Sequence, residues 1–279
     1  MMIMKNSARH FRNQSGFTMT ELLVAGVIGV MLLGVTIMVF TNQEKTMKHE
    51  NDATEIRAKG RQSINEIAKL VRMAGVGLPP NQGITAMTAT SISFRSNLDD
   101  VVTTAPPQAS GSSAISAGST SMNVIDSSAF AVNDYMVIYD PAFKTVHYAV
   151  VTGKDTASTP NTVSFTPAIP GAITFTTNAR YVSVNQYQNV TIALSGTDVV
   201  KTVDPTSTGG DESSITITDK AFAGTGLAFA YYDESFAVAT ATSTVRKISI
   251  TLRMPDSRAP TDASLTKEFK TDVELRNTR

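Results

Sequence analysis

The sequence predicts an α+β protein in which a long N-terminal helix packs on a mainly antiparallel β-domain that carries a small inserted β-subdomain. Three observations carry that prediction. Residues 22–40 contain no charged side chain. Apolar residues then recur at spacings of three and four as far as Ala74, the period of one face of a helix. Beyond Gln82 the period falls to two, with β-branched and aromatic residues alternating between turn formers.

The chain opens with a leader, residues 1–16, that carries Lys5, Arg9 and Arg12. Its end reads Gln14-Ser15-Gly16-Phe17-Thr18-Met19-Thr20-Glu21. A conventional secretory signal places its apolar core ahead of the cleavage site and loses it on processing. Here the natural processing point, Gly16-Phe17, precedes the apolar stretch, so that stretch stays with the mature chain. As a helix, residues 22–40 cover about 28 Å, close to the hydrocarbon thickness of a bilayer. The cationic leader favours the cytoplasmic side and directs the rest of the chain outward. Glu21 is then a lone carboxylate at the head of a membrane-length segment, costly there unless it is paired. A plain single-pass anchor is the simpler reading, but an anchor requires neither Gly16-Phe17 nor Glu21.

Gly16-Phe17-Thr18-x-x-Glu21-Leu22-Leu23 resembles the class III signal of type IV pilins and type II secretion pseudopilins. The resemblance implies that a membrane-embedded prepilin peptidase cuts between Gly16 and Phe17 and methylates the new amino group of Phe17. It also implies that Glu21 pairs with the N-terminal amine of a neighbouring subunit during assembly. An ammonium and a carboxylate, each costly alone in lipid, neutralise one another across such a boundary. Thr20 departs from the pattern, which usually has a branched aliphatic there. The span also lacks the proline that many major pilins carry. Gly26, Gly29 and Gly34 could loosen it instead, since glycine disfavours helix by about 1 kcal/mol relative to alanine. That points to the neighbourhood of Gly34 as the softest part of the span. Close helix packing in lipid accounts for the same glycines equally well.

Composition bounds the remainder. The 279 residues suffice for a stalk and an exported domain with its own core. Net charge is zero, and losing the leader cations leaves the chain slightly acidic, which gives no support to strong nucleic-acid binding. Cysteine is absent, which excludes disulfides, thiolate metal sites and a cysteine nucleophile. The expected organisation is a cytoplasmic leader (1–16, removed), a transmembrane or filament-core helix (17–41), an amphipathic helix (42–78) and an exported β-rich domain (79–279).

Within the amphipathic part, Ala53, Ile56, Gly60, Ile64, Ile67, Val71 and Ala74 form one stripe, with Glu55, Lys59, Arg61 and Glu66 between them. Gly75, Gly77, Pro79 and Pro80 stop the helix. A soluble coiled coil is the alternative for this half. The sequence Arg72-Met73-Ala74-Gly75 at its end is similar to that of PilW-like minor pilins, where a basic-x-Ala-Gly turn leads into the globular part.

Alternation marks strands at 91–95, 135–139, 145–151, 162–165, 181–187, 214–218, 227–232, 246–252 and 269–275. Pro106-Pro107 and Ser110-Gly111-Ser112-Ser113 read as a connector, and residues around 105–118 and 198–211 as loops. Residues 119–170 form a separable unit or, alternatively, more edge strands of one sheet. There Phe130-Ala131-Val132-Asn133-Asp134-Tyr135-Met136-Val137-Ile138 resembles a strand found as an insertion in PilW-like proteins. Asn133 stands where glycine is usual, and asparagine tolerates a left-handed turn nearly as well. Phe229-Ala230-Tyr231-Tyr232-Asp233, residues 245–252 and Val273-Glu274-Leu275-Arg276-Asn277 resemble the closing strands of the same family.

Little in the chain suggests chemistry. His10, His49 and His147 are far apart, and their spacing implies no metal site. No G-x-S-x-G elbow, P-loop or H-E-x-x-H motif occurs. Asp204, Asp211 and Glu212 gather in a turn-rich segment that calcium could use, though a solvated hairpin connection explains them as well. Tyr231 and Tyr232, adjacent on a strand, point to opposite faces and make no platform. No catalytic residue, metal ligand or cofactor is expected.

The resemblance therefore implies a structural subunit, a minor pilin that helps prime assembly of a type IV pilus and sits at its tip or sparsely along it. Its partners would be the prepilin peptidase, other pilins, the inner-membrane assembly machinery and lipid. It would reside in the bacterial inner membrane as a single-pass protein with its C-terminal domain outside the cytoplasm, then in the extracellular fibre. Alternatives are a minor pseudopilin of a type II secretion system and a membrane-tethered β-domain with a binding or enzymatic role.

Overall fold

A computed structural model describes residues 16–106, 115–141, 143–171, 175, 182–256, 261–262 and 266–276. The leader through Ser15 with its cations and His10, the connector from Pro107 to Ser113, Tyr181 and Asn277 lie outside the described residues. The architecture is α+β, one long helix and a mostly antiparallel β-domain.

Helix α1 (Met19–Arg72) is uninterrupted and passes through Gly26, Gly29 and Gly34 without a break. It contributes to two compact units, which divide between Asp52 and Ala53. In the first unit its hydroxyls are satisfied within the helix: Thr36 Oγ1 donates to Leu32 O at 2.7 Å and Thr46 Oγ1 to Asn42 O at 3.0 Å. In the second unit the anticipated stripe is buried, with Ile56, Gly60, Ile64, Ile67 and Val71 on the inner face. Phe269 lies directly over Gly60, where an added Cβ would come within 2.2 Å of the ring. Two left-handed glycines, Gly75 and Gly77, then turn the chain away, and Gly75 N donates to Arg95 O at 2.8 Å.

The β-domain begins with β1 (Ile84–Met87), β2 (Ser91–Ser96), β3 (Val102–Ala105) and β4 (Ser121–Val124). It continues with β5 (Tyr135–Asp140), β6 (Thr145–Asp155), β7 (Asn161–Thr166) and β8 (Val182–Ser195). A hairpin of β9 (Asp198–Asp204) and β10 (Ser213–Thr218) completes a ten-stranded sheet. A second, three-stranded sheet comprises β11 (Leu227–Tyr232), β12 (Lys247–Met254) and β13 (Lys267–Glu274). Every strand marked by alternation is present. Residues 198–204 correct the loop reading: they pair with β8 from Asn189 to Ser195 as strand β9. Asp198, Lys201 and Asp204 hide that strand in the sequence, because only Val199 and Val203 are buried along it.

Strand β8 organises the large sheet. Its first half pairs with β3 and β5, and from Gln188 onward it pairs with β2 and β9. Each half feeds a different core. One core joins the α1 stripe to β2, the second half of β8 and the three-stranded sheet, through Ile67, Phe94, Ile192, Leu227 and Ile250. The other lies among β3, β4, β5, β6, β7 and the first half of β8, and is filled by Phe130, Met136, Phe165, Phe175 and Val184. Around this second core the strands run β3–β8–β5–β6–β7–β4, and the end of β4 returns to β3, where Ile125 N donates to Thr104 O at 2.9 Å. The strands of residues 119–170 thus curl around a core of their own while sharing β8 with the rest of the domain. Asn133 adopts φ +76° at the turn into β5, the left-handed conformation expected of it.

Candidate functional site

The sequence places its candidate residues at the start of α1, and the local geometry there follows from one short motif. Gly16, Phe17 and Thr18 precede the first helical residue, and Phe17 is 87% exposed. The Gly16-Phe17 bond therefore lies in non-helical chain. Thr18 occupies the N-cap position. Its Oγ1 accepts from Glu21 N at 3.3 Å, while its own N–H and its hydroxyl each donate to Glu21 Oε2 at 2.9 Å. This is a capping box, in which residue and cap satisfy each other's otherwise unpaired groups. The carboxylate also sits where the helix dipole is positive. Sequence reasoning assigned Glu21 only an intermolecular role. The pattern Thr18-x-x-Glu21 ahead of an apolar run was the available signal for this second role within the chain.

Beyond the cap, the large apolar side chains from Leu22 to Phe40 are between 48% and 74% exposed, on every face of the helix. This stretch is long and apolar enough to cross a membrane. A helix that is apolar all round finds a favourable environment only in lipid or among other helices. At Gly26, Gly29 and Gly34 an added Cβ would meet nothing within 4 Å, so packing within this chain does not demand those glycines.

Most of the other sequence candidates have local partners. His147 is buried, its Nε2 lies 3.0 Å from Pro167 O, and its ring stands edge-on to Phe165. His49 is exposed on α1. Asp204 Oδ2 accepts from Tyr135 OH and from Asn189 Nδ2, each at 3.1 Å. Asp211 Oδ2 accepts from the Thr206 hydroxyl, and Glu212 Oε2 accepts from Gly210 N at 3.1 Å. Among the described residues no three histidine, aspartate or glutamate side chains converge. Tyr231 turns inward and donates to Thr88 O and Ser91 O, at 3.0 and 2.9 Å, whereas Tyr232 faces Lys247 on the other side.

Two clusters escaped the sequence reading. Arg95 lies over the rings of Tyr148 and Tyr187, 4.5 and 5.2 Å from their centroids, and Tyr135 stacks on Tyr187. Burial pushes the Tyr187 hydroxyl up to about 12 and raises those of Tyr148 and Tyr135, so all three hold their protons more tightly than a free tyrosine. Leu78, at the helix exit, packs against the same cluster, which fastens that exit to the sheet. The second is Asp134, only 4% exposed, whose Oδ2 accepts from Ala131 N at 2.7 Å. Burial raises this carboxyl above the usual aspartate range, with hydrogen bonds from Ala131 and Gln186 opposing.

No family model, curated protein or solved structure matches this chain.

Proposed function

We propose that the chain is a PilW-like minor pilin, a structural subunit that helps prime a type IV pilus and is held at its tip or sparsely along the fibre. The single observation that most supports this reading is the order of features at the N-terminus. A non-helical Gly16-Phe17 leads into a capped helix start at Thr18 and Glu21, followed by a helix that is apolar and exposed on all faces. On this reading a prepilin peptidase cuts after Gly16 and methylates Phe17. The chain waits in the inner membrane with its C-terminal domain outside the cytoplasm. On assembly the apolar part of α1 exchanges lipid for neighbouring helices, and Glu21 meets the N-terminal amine of another subunit. The charge pair removes two costs of burial at once and sets the axial step.

Substitution Glu21→Ala tests the reading. The variant is expected to be processed at Gly16-Phe17 as before and to be lost from sheared fibres. Normal incorporation of that variant, with wild-type piliation, would overturn the reading.

A further inference from the structure

We propose that Thr18 is a positioning residue for subunit assembly, holding Glu21 so that one carboxylate oxygen is reserved for the helix cap and the other is offered to a neighbour. The proposal rests on the filament reading above and gives an assembly role to a residue that the reading uses only as a helix cap. The Thr18 N–H and hydroxyl converge on the same oxygen, Oε2, at 2.9 Å each. Among the described residues no donor lies on Oε1. The Glu21 N–H is in turn tied to Thr18 Oγ1 at 3.3 Å, so backbone and side chain of the glutamate are both fixed by one threonine. A glutamate without such a cap would sample several rotamers, and an incoming amine would have to order it on arrival. Fixing the side chain beforehand removes that cost from the association step. The cap also keeps half of the carboxylate hydrogen-bonded while the subunit waits in lipid, where an unsatisfied polar group is costly.

The test compares full-length Thr18→Val, Thr18→Ser and Glu21→Gln chains in cells, with the ratio of fibre-borne to membrane-borne Phe17 peptide measured by mass spectrometry. Valine keeps the shape of threonine and removes the hydroxyl; serine keeps the hydroxyl. Thr18→Val is expected to lower the ratio about five-fold, the factor corresponding to the ~1 kcal/mol of a lost cap. Thr18→Ser should restore it. An unchanged ratio for Thr18→Val, or a loss with Thr18→Ser as deep as with Thr18→Val, would overturn the proposal. Glu21→Gln separates the two levels: if it enters fibres as well as the wild type, the charge-pair reading fails and takes the proposal with it. A second measurement is independent of processing. Hydrogen exchange of the Thr18 amide, on the full chain in detergent micelles, should be about five-fold slower in the wild type than in Glu21→Ala. Equal exchange rates would show that the cap does not hold, and would refute the positioning role.

Discussion

The two parts of α1 treat the same kind of side chain in opposite ways. Ile67 and Val71 are completely buried, whereas Leu32 and Leu33 are each 63% exposed. From Ala53 onward the helix is amphipathic, with Glu55 and Lys59 on its wet side and a stripe of small and branched residues inside. Before Asp52 the apolar part has no wet side at all. The comparison teaches that amphipathicity marks a helix completed by its own domain, while uniform hydrophobicity marks one completed by something else. Gly60 and Gly34 repeat the contrast in miniature: one glycine makes room for Phe269, and the other faces open space.

Substitutions should reproduce that contrast, the largest effect coming from the core. Ile67→Ala is expected to cost about 2–5 kcal/mol of stability, read by denaturation of the full chain in detergent. Leu32→Ala should leave the same transition in place, and equal losses for the two would erase the distinction between the halves. Next in size is Gly60→Val, which must displace the Phe269 ring and should cost about 1–3 kcal/mol. Gly34→Ala, with nothing in its way, should instead hold or raise helix content by circular dichroism.

A smaller effect depends on pH. Because burial raises the Asp134 carboxyl, the folded form holds that proton more tightly than the unfolded one. Its contribution to stability is therefore greatest at low pH and declines as pH rises through the window above the usual aspartate value. Gln186, Ala131, Lys154 and Asp99 are the groups acting on it there. Asp134→Asn should flatten the dependence of Tm on pH and leave Tm at neutral pH unchanged or higher. A clear drop in Tm at neutral pH would show that the charge itself is needed. The smallest effect belongs to the exposed surface. Glu55 is held below the usual carboxylate range by Lys220 first and then Lys59, yet it remains in contact with solvent, so Lys220→Ala should not move Tm measurably.

Much of this arrangement was legible in the sequence, and the exceptions have physical reasons. The helix could be read because its apolar run and its amphipathic stripe are each long and uninterrupted, and its end because Gly75, Gly77, Pro79 and Pro80 follow in quick succession. The strands with a fully buried face, such as β5 and β12, showed themselves by Met136, Ile138, Ile248 and Ile250. The short strands β1, β3 and β4 did not, since four residues hold too few alternations to stand out from loops. β9 was masked by its charged residues. The junction in β8 was invisible for a different reason: a change of partner at Gln188 alters the neighbours without altering the pattern. At the candidate site, the order of Gly16, Phe17 and Glu21 stands out in the sequence, and the structure adds the hydrogen bonds between Thr18 and Glu21. The cap formed by Thr18 is harder to read, because a single Thr-x-x-Glu spacing occurs often and only the helix start at Met19 makes it a capping box.

The central claim is that the exposed half of α1 is completed by other subunits after processing at Gly16-Phe17. Mass spectrometry of sheared fibres tests it most directly. The account predicts a peptide of this chain that begins with N-methyl-Phe17. A mature chain that begins at any other residue would leave Glu21 without its partner amine and would contradict the account.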